Sequence, residues 1–224
     1  RILDGFIEQG WKLAEVKDFN VSSPAFFKGL SKLLASKKPR AFRSYLTWQL
    51  LHAYAPALSE DFVKEGFALQ KLLTGQKAQQ PRWKRCVAAT DQALGELLAQ
   101  SFVAKRFAGD SKKTVTEMVH AIGAAFGQLL GELPWLDDAT RAKAHEKRKK
   151  MAFLIGYPER WRQYPFAVGT SFAANMKAAQ AHELARRLGR IGKPVDPKEW
   201  EMSPPTVNAY YHPSKNHMVF PAGI

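Results

Sequence analysis

Apolar residues recur at intervals of three and four along most of the chain, the period that places side chains on one face of a helix. The clearest stretch covers residues 115–130, with Asp110 and Ser111 before it as N-terminal cap candidates. Gly131 and Pro134 follow, and both residues favour the end of a helix. We therefore predict a core helix here with one buried face.

Similar apolar stripes predict more helices before this one. They cover residues 26–34, 45–54, 62–73 and 94–102. Pro39, Pro56 and Pro81 lie between them, and each proline disfavours the helical conformation in the residue before it. These prolines are therefore predicted to separate the helices.

The pattern changes after residue 137. The predicted elements are a charged helix over 141–151, a turn at 155–158, a helix over 171–188 and a glycine- and proline-rich linker over 189–197. This half of the chain therefore mixes helices with irregular segments.

The last twenty residues have the pattern of a β-hairpin. Strands are predicted at 206–211 and 217–220, on either side of a polar turn at 212–216. A hairpin alone would leave apolar strand edges unpaired, so we expect further sequence after Ile224 to complete the sheet.

Composition excludes some classes of protein. Of 224 residues, 46% are apolar and 24% charged, so disordered and fibrous proteins are excluded. The single cysteine, Cys86, excludes an internal disulfide and a cysteine-based zinc site. No apolar run approaches the ~18 residues of a membrane span, so none is predicted in this chain. The net charge of +14 favours anionic partners without identifying them.

Four histidines are candidate metal ligands. In a zinc-protease helix, two histidines four residues apart share one face and a glutamate follows the first. His145 and His182 are each followed by glutamate, but a lysine or an arginine occupies the position of the second histidine. His212 and His217 flank the predicted turn and are expected to approach each other, but they lack a third ligand. We predict no metal ligand and no catalytic residue in this chain.

The basic residues allow a second interpretation. A cluster of cations is able to follow a phosphate backbone: Lys143, Lys147, Arg148, Lys149 and Lys150, together with Arg82, Lys84 and Arg85. Glutamate is interleaved with these cations, and the cations spread around the helix, which favours a solvated helix surface instead. We therefore expect no nucleic-acid partner.

Specific motifs appear at the hairpin. Residues 206–211 read Thr-Val-Asn-Ala-Tyr-Tyr, and residues 216–224 read Asn-His-Met-Val-Phe-Pro-Ala-Gly-Ile. Both motifs resemble the neprilysin and endothelin-converting-enzyme family of zinc metallopeptidases, and the bacterial oligopeptidase branch is the most similar. Further motifs follow the order and spacing of that family, at residues 81–87, 107–109, 133–136, 139–144 and 155–158 and at Trp200. The resemblance covers essentially the whole chain.

The resemblance implies a fold and a cofactor. Residues 1–166 would form a mainly α-helical capping lobe, and residues 167–224 would begin a thermolysin-like α+β catalytic lobe that ends here in a substrate-binding hairpin. One zinc ion is implied in the intact enzyme. Its His-Glu-x-x-His motif would follow Ile224, so this segment alone is expected to be inactive. Short peptides and the remaining C-terminal catalytic segment are the implied partners, and the implied location is extracytoplasmic.

The resemblance also implies four substrate-binding residues. The Asn208 side-chain amide would bond the peptide backbone, and the Ala209 backbone would pair with that same peptide backbone. Tyr210 would line the pocket on the amino side of the cleaved bond, and Ile224 would line the apolar pocket on the other side. Without the family motifs, Asn208 is equally typical of an amide that is satisfied locally. Tyr210 and Ile224 alone are typical of a core.

The leading hypothesis is a zinc metalloendopeptidase that cleaves short peptides through metal-activated water. Two alternatives stay open from the sequence: a non-catalytic scaffold derived from the peptidase fold, and a basic helical module that binds nucleic acid.

Overall fold

The computed structural model describes residues 20–224. Its helices are α1 (Pro24–Ser36), α2 (Pro39–Tyr54), a 3-10 helix (Ala55–Ala57), α3 (Glu60–Thr74), α4 (Arg82–Arg106), α5 (Ser111–Glu132), α6 (Asp138–Lys149) and α7 (Phe172–Leu188). Its strands are β1 (Ala152–Gly156), β2 (Tyr210–His212) and β3 (His217–Pro221). The prediction of a mainly helical chain that leads into a small sheet is confirmed. The part of the predicted capping lobe at residues 1–19 lies outside the described residues.

The described chain forms two compact units. One contains residues 20–82 and 166–194, and the other contains 83–165 and 195–224. The predicted lobes, 1–166 and 167–224, concern the intact enzyme and stay a prediction. Among residues 20–224 no helix combines the length and apolar character needed to cross a membrane.

In the first unit, prolines and a glycine delimit the helices, and of these Pro39 was predicted to do so. Pro24 and Pro39 occupy the first turns of α1 and α2, where a missing N–H costs no helical bond. Gly75 ends α3 with a φ of 71°, a left-handed conformation that favours glycine. The Tyr54 hydroxyl donates a 3.0 Å bond to Gln180 Oε1, which joins α7 to the end of α2.

In the second unit, α5 has the predicted ends, but the prediction of one buried face is wrong for most of its apolar residues. Only Val119 and Leu130 of this helix are buried, whereas Ile122 is 63% exposed and Met118 is 56% exposed. The physical reason is that α6 and β1 are the described elements that pack against α5, and they cover a narrow strip.

The start of α6 is built by a local cap. The Asp137 carboxylate accepts bonds from the Thr140 N–H at 2.8 Å and from the Thr140 hydroxyl at 2.7 Å. These bonds hold the pKa of Asp137 below its usual value. Because an ionised carboxylate also interacts favourably with a helix N-terminus, the local sequence accounts for where α6 begins.

Residues 152–156 correct the sequence prediction. The charged helix ends at Lys149 rather than Met151, and the next apolar residues form β1, where only a turn was predicted. β1 runs parallel to β3, with Leu154 opposite Val219. Five apolar residues are too few for their period to indicate a strand, and the partner strand lies far away in sequence.

The three strands form one sheet in the order β1-β3-β2. β2 is antiparallel to β3, with Tyr210 opposite Val219 and His212 opposite His217, and the Val219 side chain is fully buried. The hairpin is therefore confirmed, but its first strand is shorter than predicted and begins at Tyr210. The reason lies in local turns, because the Thr206 N–H donates to Ser203 O and the Asn208 N–H donates to Thr206 O.

The turn of the hairpin covers residues 213–216, so His212 belongs to the strand rather than to the turn. Asn216 has a φ of 47°, a left-handed conformation that asparagine tolerates well. Its carbonyl accepts from the Ala152 N–H at 3.0 Å and its side-chain amide donates to Lys147 O at 2.9 Å. The turn is thereby attached to α6 and β1.

Candidate functional site

The outer edge of β2 is the candidate site. Among the described residues only β3 pairs with β2, so the opposite edge of β2 carries no strand. Asn208 and Ala209 lie immediately before this strand. An unpaired edge presents backbone donors and acceptors that an extended peptide is able to pair with.

Asn208 is exposed, and its side chain is engaged by its own neighbour. Its Oδ1 accepts from the Ala209 N–H at 2.8 Å, while its backbone N–H donates to Thr206 O at 3.0 Å. The bond from the Ala209 N–H to Asn208 Oδ1 is a local bond of the kind expected if Asn208 has a structural role instead of a substrate-binding one. The substrate-binding role of Asn208 and Ala209 stays a prediction.

Tyr210 is half-buried and held at both ends. Its hydroxyl accepts from the Glu201 N–H at 2.9 Å, and its ring lies edge-on to His217 with centroids 6.2 Å apart. Burial raises the pKa of Tyr210, against the effect of the Glu201 N–H bond. The side chain is therefore a neutral phenol in a fixed position.

Ile224 is 64% exposed. An isoleucine judged from the sequence alone is typical of a core, so the structure differs from that interpretation. The preceding Gly223 donates to Pro204 O at 2.9 Å, and a Cβ built on Gly223 would lie 2.5 Å from Pro205 O. Only glycine allows this approach, because any side chain would collide with the backbone. The contact brings Ile224 to the segment that precedes Asn208.

His212 and His217 meet as expected, with ring centroids 5.6 Å apart and the planes at 76°. His217 is fully buried, and its Nδ1 lies 3.1 Å from Pro197 O. His212 Nε2 lies 3.1 Å from Glu201 Oε1. Burial lowers the pKa of His217, while the Pro197 carbonyl opposes this effect.

The histidines on the helices are not part of a metal cluster. Within residues 20–224 there is no group of three or more His, Cys, Asp or Glu residues placed to hold a metal ion. Glu146, next to His145, pairs with Lys143 and Lys150, and Glu183, next to His182, pairs with Arg186 and Arg187. Both glutamates thus form ion pairs on a helix.

The basic cluster on α6 consists of residues with separate contacts. Lys143 and Lys150 lie 3.0 and 2.8 Å from the Glu146 carboxylate, and they lower its pKa. Lys147 Nζ lies 5.4 Å from the Tyr211 ring centroid, and Arg148 donates to Gly123 O at 3.2 Å. Two of these cations thus share the Glu146 carboxylate, while the other two contact an aromatic ring and a backbone carbonyl.

Sequence reasoning missed a buried glutamate that supports this unit. Glu96, which is only 7% exposed, accepts from the Arg162 N–H at 2.7 Å, and its own N–H donates to the Tyr164 hydroxyl at 3.1 Å. A charged residue inside the apolar stripe of α4 was the signal available.

One turn earlier on α4, Asp91 attaches the segment that leads to the candidate edge. Asp91 Oδ1 accepts from the Ser203 hydroxyl at 2.8 Å. A Cβ built on Gly95 would lie 2.9 Å from Ser203 Cβ, so glycine permits this close approach. α4 therefore positions residues 203–206, the segment that ends just before Asn208.

The architecture is a mainly helical region that leads into the first strands of a small sheet with one unpaired edge. The family model of Peptidase family M13 matches residues 2–158, and the chain belongs to this family. Neprilysin-3 of Drosophila melanogaster is 32% identical over 91% of this chain and 28% of its own length. Endothelin-converting enzyme 1 of Homo sapiens is 31% identical over 95% of this chain and 29% of its own.

Solved bacterial structures share the fold. The inhibitor complex of the Mycobacterium tuberculosis zinc metalloprotease Zmp1 superposes with a TM-score of 0.80 at 32% identity, over 87% of this chain and 30% of that one. PepO from Lactobacillus rhamnosis gives a TM-score of 0.77 at 28% identity, over 87% of this chain and 31% of that one. The resemblance to neprilysin-like peptidases is confirmed, and the chain spans less than a third of these relatives.

Proposed function

We propose that the intact protein is a zinc metalloendopeptidase for short peptides, and that this chain supplies its capping lobe and the edge that aligns the substrate. The observation that carries the proposal is the open edge of β2 directly after Asn208 and Ala209. Membership of Peptidase family M13 supports the reaction class. We propose that the capping lobe ends at residue 166 and the catalytic lobe begins at residue 167.

In this proposal the peptide lies extended along β2 as an added strand. Backbone pairing gives affinity for any sequence, since every peptide presents the same N–H and C=O groups. The Ala209 N–H now donates to Asn208 Oδ1, so the Asn208 side chain rotates away when the peptide binds. Its amide then bonds the peptide backbone and fixes the position of the bond to be cleaved.

The two flanking side chains give this edge its pockets. Tyr210, held by the Glu201 N–H, lines the pocket on the amino side of the cleaved bond. Ile224, which is exposed and close to residues 205–206, lines the apolar pocket on the other side. The fixed ring of Tyr210 makes the first pocket the more rigid of the two.

The described residues do not fit a zinc ion, because they contain no cluster of three possible ligands. We therefore assign the zinc site of the intact enzyme to residues after Ile224, and we assign no catalytic step to this chain. By this reasoning the chain alone is inactive. A non-catalytic scaffold is the alternative, and the presence or absence of His-Glu-x-x-His after Ile224 decides between the two.

Exposed apolar side chains suggest where the remaining polypeptide packs. The largest in the second unit include Trp83, Met118, Ile122 and Trp135, all more than half exposed. Patches of this kind mark interaction surfaces, and the chain covers less than a third of its relatives. We propose that the C-terminal catalytic segment packs against these surfaces.

We also propose that the protein is located outside the cytoplasm, and this location rests on the family resemblance alone.

The test is kinetic and uses the intact protein. Asn208→Ala removes both side-chain bonds, whereas Asn208→Asp keeps the acceptor for the Ala209 N–H but loses the amide donor. Loss of one neutral hydrogen bond costs about 0.5–1.5 kcal/mol, which corresponds to a roughly two- to twelvefold fall in kcat/KM for a short peptide. Both variants should show this fall and keep the wild-type melting temperature. Unchanged kinetics with a large loss of stability would favour the local structural role.

A further inference from the structure

A half-buried histidine, His212, and a fully buried one, His217, lie behind the proposed peptide-binding edge. His212 on β2 and His217 on β3 are opposite each other, on the same face of the hairpin as Tyr210 and Val219. His217 and Val219 are fully buried. This face packs against residues 197–201, which bond Tyr210, His212 and His217.

The bonding partners determine which ring nitrogens carry protons. A carbonyl only accepts, so His217 Nδ1 donates its proton to Pro197 O. His212 Nε2 likewise donates to the Glu201 carboxylate. In neutral rings the other two nitrogens, His217 Nε2 and His212 Nδ1, then carry lone pairs instead of protons. Both of these atoms are buried and have no hydrogen-bond partner among the described residues.

Among residues 20–224, the carboxylates near His217 are each paired with another group. Lys215, in the turn, lies near it as a second cation and pairs with Glu199 at 3.2 Å. Glu201 is paired with His212. The ring of His217 also faces the neutral Tyr210, and β1 places Ala152 opposite it. A proton added to His217 would therefore be buried next to Lys215 and His212 without a partner of its own.

We propose that His217 is a positioning residue that, beside His212, holds the peptide-binding edge against residues 197–201 only while the His217 imidazole is neutral, so that proton uptake by His217 releases the edge. The inference rests on the proposed function for its effect on peptide cleavage. The release itself concerns only the hairpin. It predicts a loss of peptide binding in mild acid.

The direction follows from proton linkage. Burial lowers the pKa of His217 in the seated hairpin, so the released hairpin binds a proton more readily. The seated state is fully stabilised above the ordinary histidine pKa of about 6.5. It loses stability as pH falls from there through the lowered value. The release equilibrium shifts by up to about tenfold per pH unit for one proton taken up.

The experiment is hydrogen exchange by mass spectrometry on the intact protein, after correction for the pH dependence of the intrinsic rate. In the wild type, exchange in peptides from residues 207–221 should rise about three- to eightfold between pH 7 and 5.5. His217→Asn keeps a donor close to the position of Nδ1 and cannot be protonated, so it should remove this rise. His217→Gln provides a second uncharged replacement in case the asparagine packs poorly. His145→Asn, on α6, is the control and should respond like the wild type.

Activity gives a separate result. The acidic limb of the kcat/KM profile should move to lower pH in His217→Asn when each profile is normalised to its own value at pH 7.5. Equal protection of residues 207–221 at both pH values in the wild type would overturn the inference. So would the same acid response in His217→Asn as in the wild type. If the intact protein cleaves no peptide at any pH, the proposed function fails, and the exchange experiment still decides the release.

Discussion

Arg141 joins the end of one helix to the start of the next, and its replacement gives the sharpest test of the fold. Its Nη1 donates to Leu130 O at 2.6 Å and Gly131 O at 3.0 Å, and its Nη2 donates to Leu133 O at 3.1 Å and Leu136 O at 2.7 Å. One guanidinium thus bonds three carbonyls at the end of α5, those of Leu130, Gly131 and Leu133, and also Leu136 O before the start of α6.

The magnitude follows from these four bonds. Bonds to a charged donor contribute about 1.5–3 kcal/mol each, but exposed carbonyls regain water when the donor is lost. Taking about 1 kcal/mol for each, Arg141→Met should lower the free energy of unfolding by about 3–5 kcal/mol. Arg141→Lys places a single point charge where four carbonyls are spread out, so it should retain roughly half of that stabilisation.

The assay is urea unfolding of the intact protein, followed by tryptophan fluorescence. Trp135 lies between two of the bonded carbonyls and reports on this turn. Arg160→Met is the matched control, because Arg160 is exposed and lies 4.0 Å from Asp196, a surface pair that contributes roughly 0–1 kcal/mol. If Arg141→Met shifts the midpoint no more than Arg160→Met does, the four bonds do not hold α5 and α6 together.

Three further predictions concern backbone, metal and charge. Gly156 has a φ of 79°, and a Cβ built on it would lie 2.5 Å from Phe107 Cε1, so Gly156→Ala should lower the free energy of unfolding by about 1–3 kcal/mol. Gly131→Ala, in open space on α5, should instead raise the free energy of unfolding by roughly 0.5–1 kcal/mol in the same urea experiment. Elemental analysis after dialysis should find no stoichiometric zinc on residues 1–224 alone, and one tightly held equivalent would contradict the ligand assignment. Fluorescence anisotropy with labelled oligonucleotides should show no saturable sub-micromolar binding at physiological salt, because exposed charges are screened over ~8 Å there; such binding would support the nucleic-acid alternative.

Features that depend on neighbouring residues were predictable from the sequence. The helix predicted over residues 115–130 begins after its predicted cap, Asp110, and ends near Gly131, because such signals act on adjacent residues. The hairpin was predictable for the same reason, since its alternating residues and polar turn are adjacent. The family was predictable from the motifs at residues 206–224, where short runs of sequence are specific in themselves.

Features that depend on distant partners were decided only by the tertiary structure. β1 is a strand because β3, far along the chain, pairs with it in parallel. The exposure of α5, the burial of Glu96 and the burial of His217 are likewise set by what packs around them. An apolar period indicates which side chains share a face, but not whether that face is covered. From the sequence, a local hydrogen bond of the Asn208 side chain was an alternative to substrate binding. Only the structure shows that Asn208 Oδ1 accepts a bond from the Ala209 N–H.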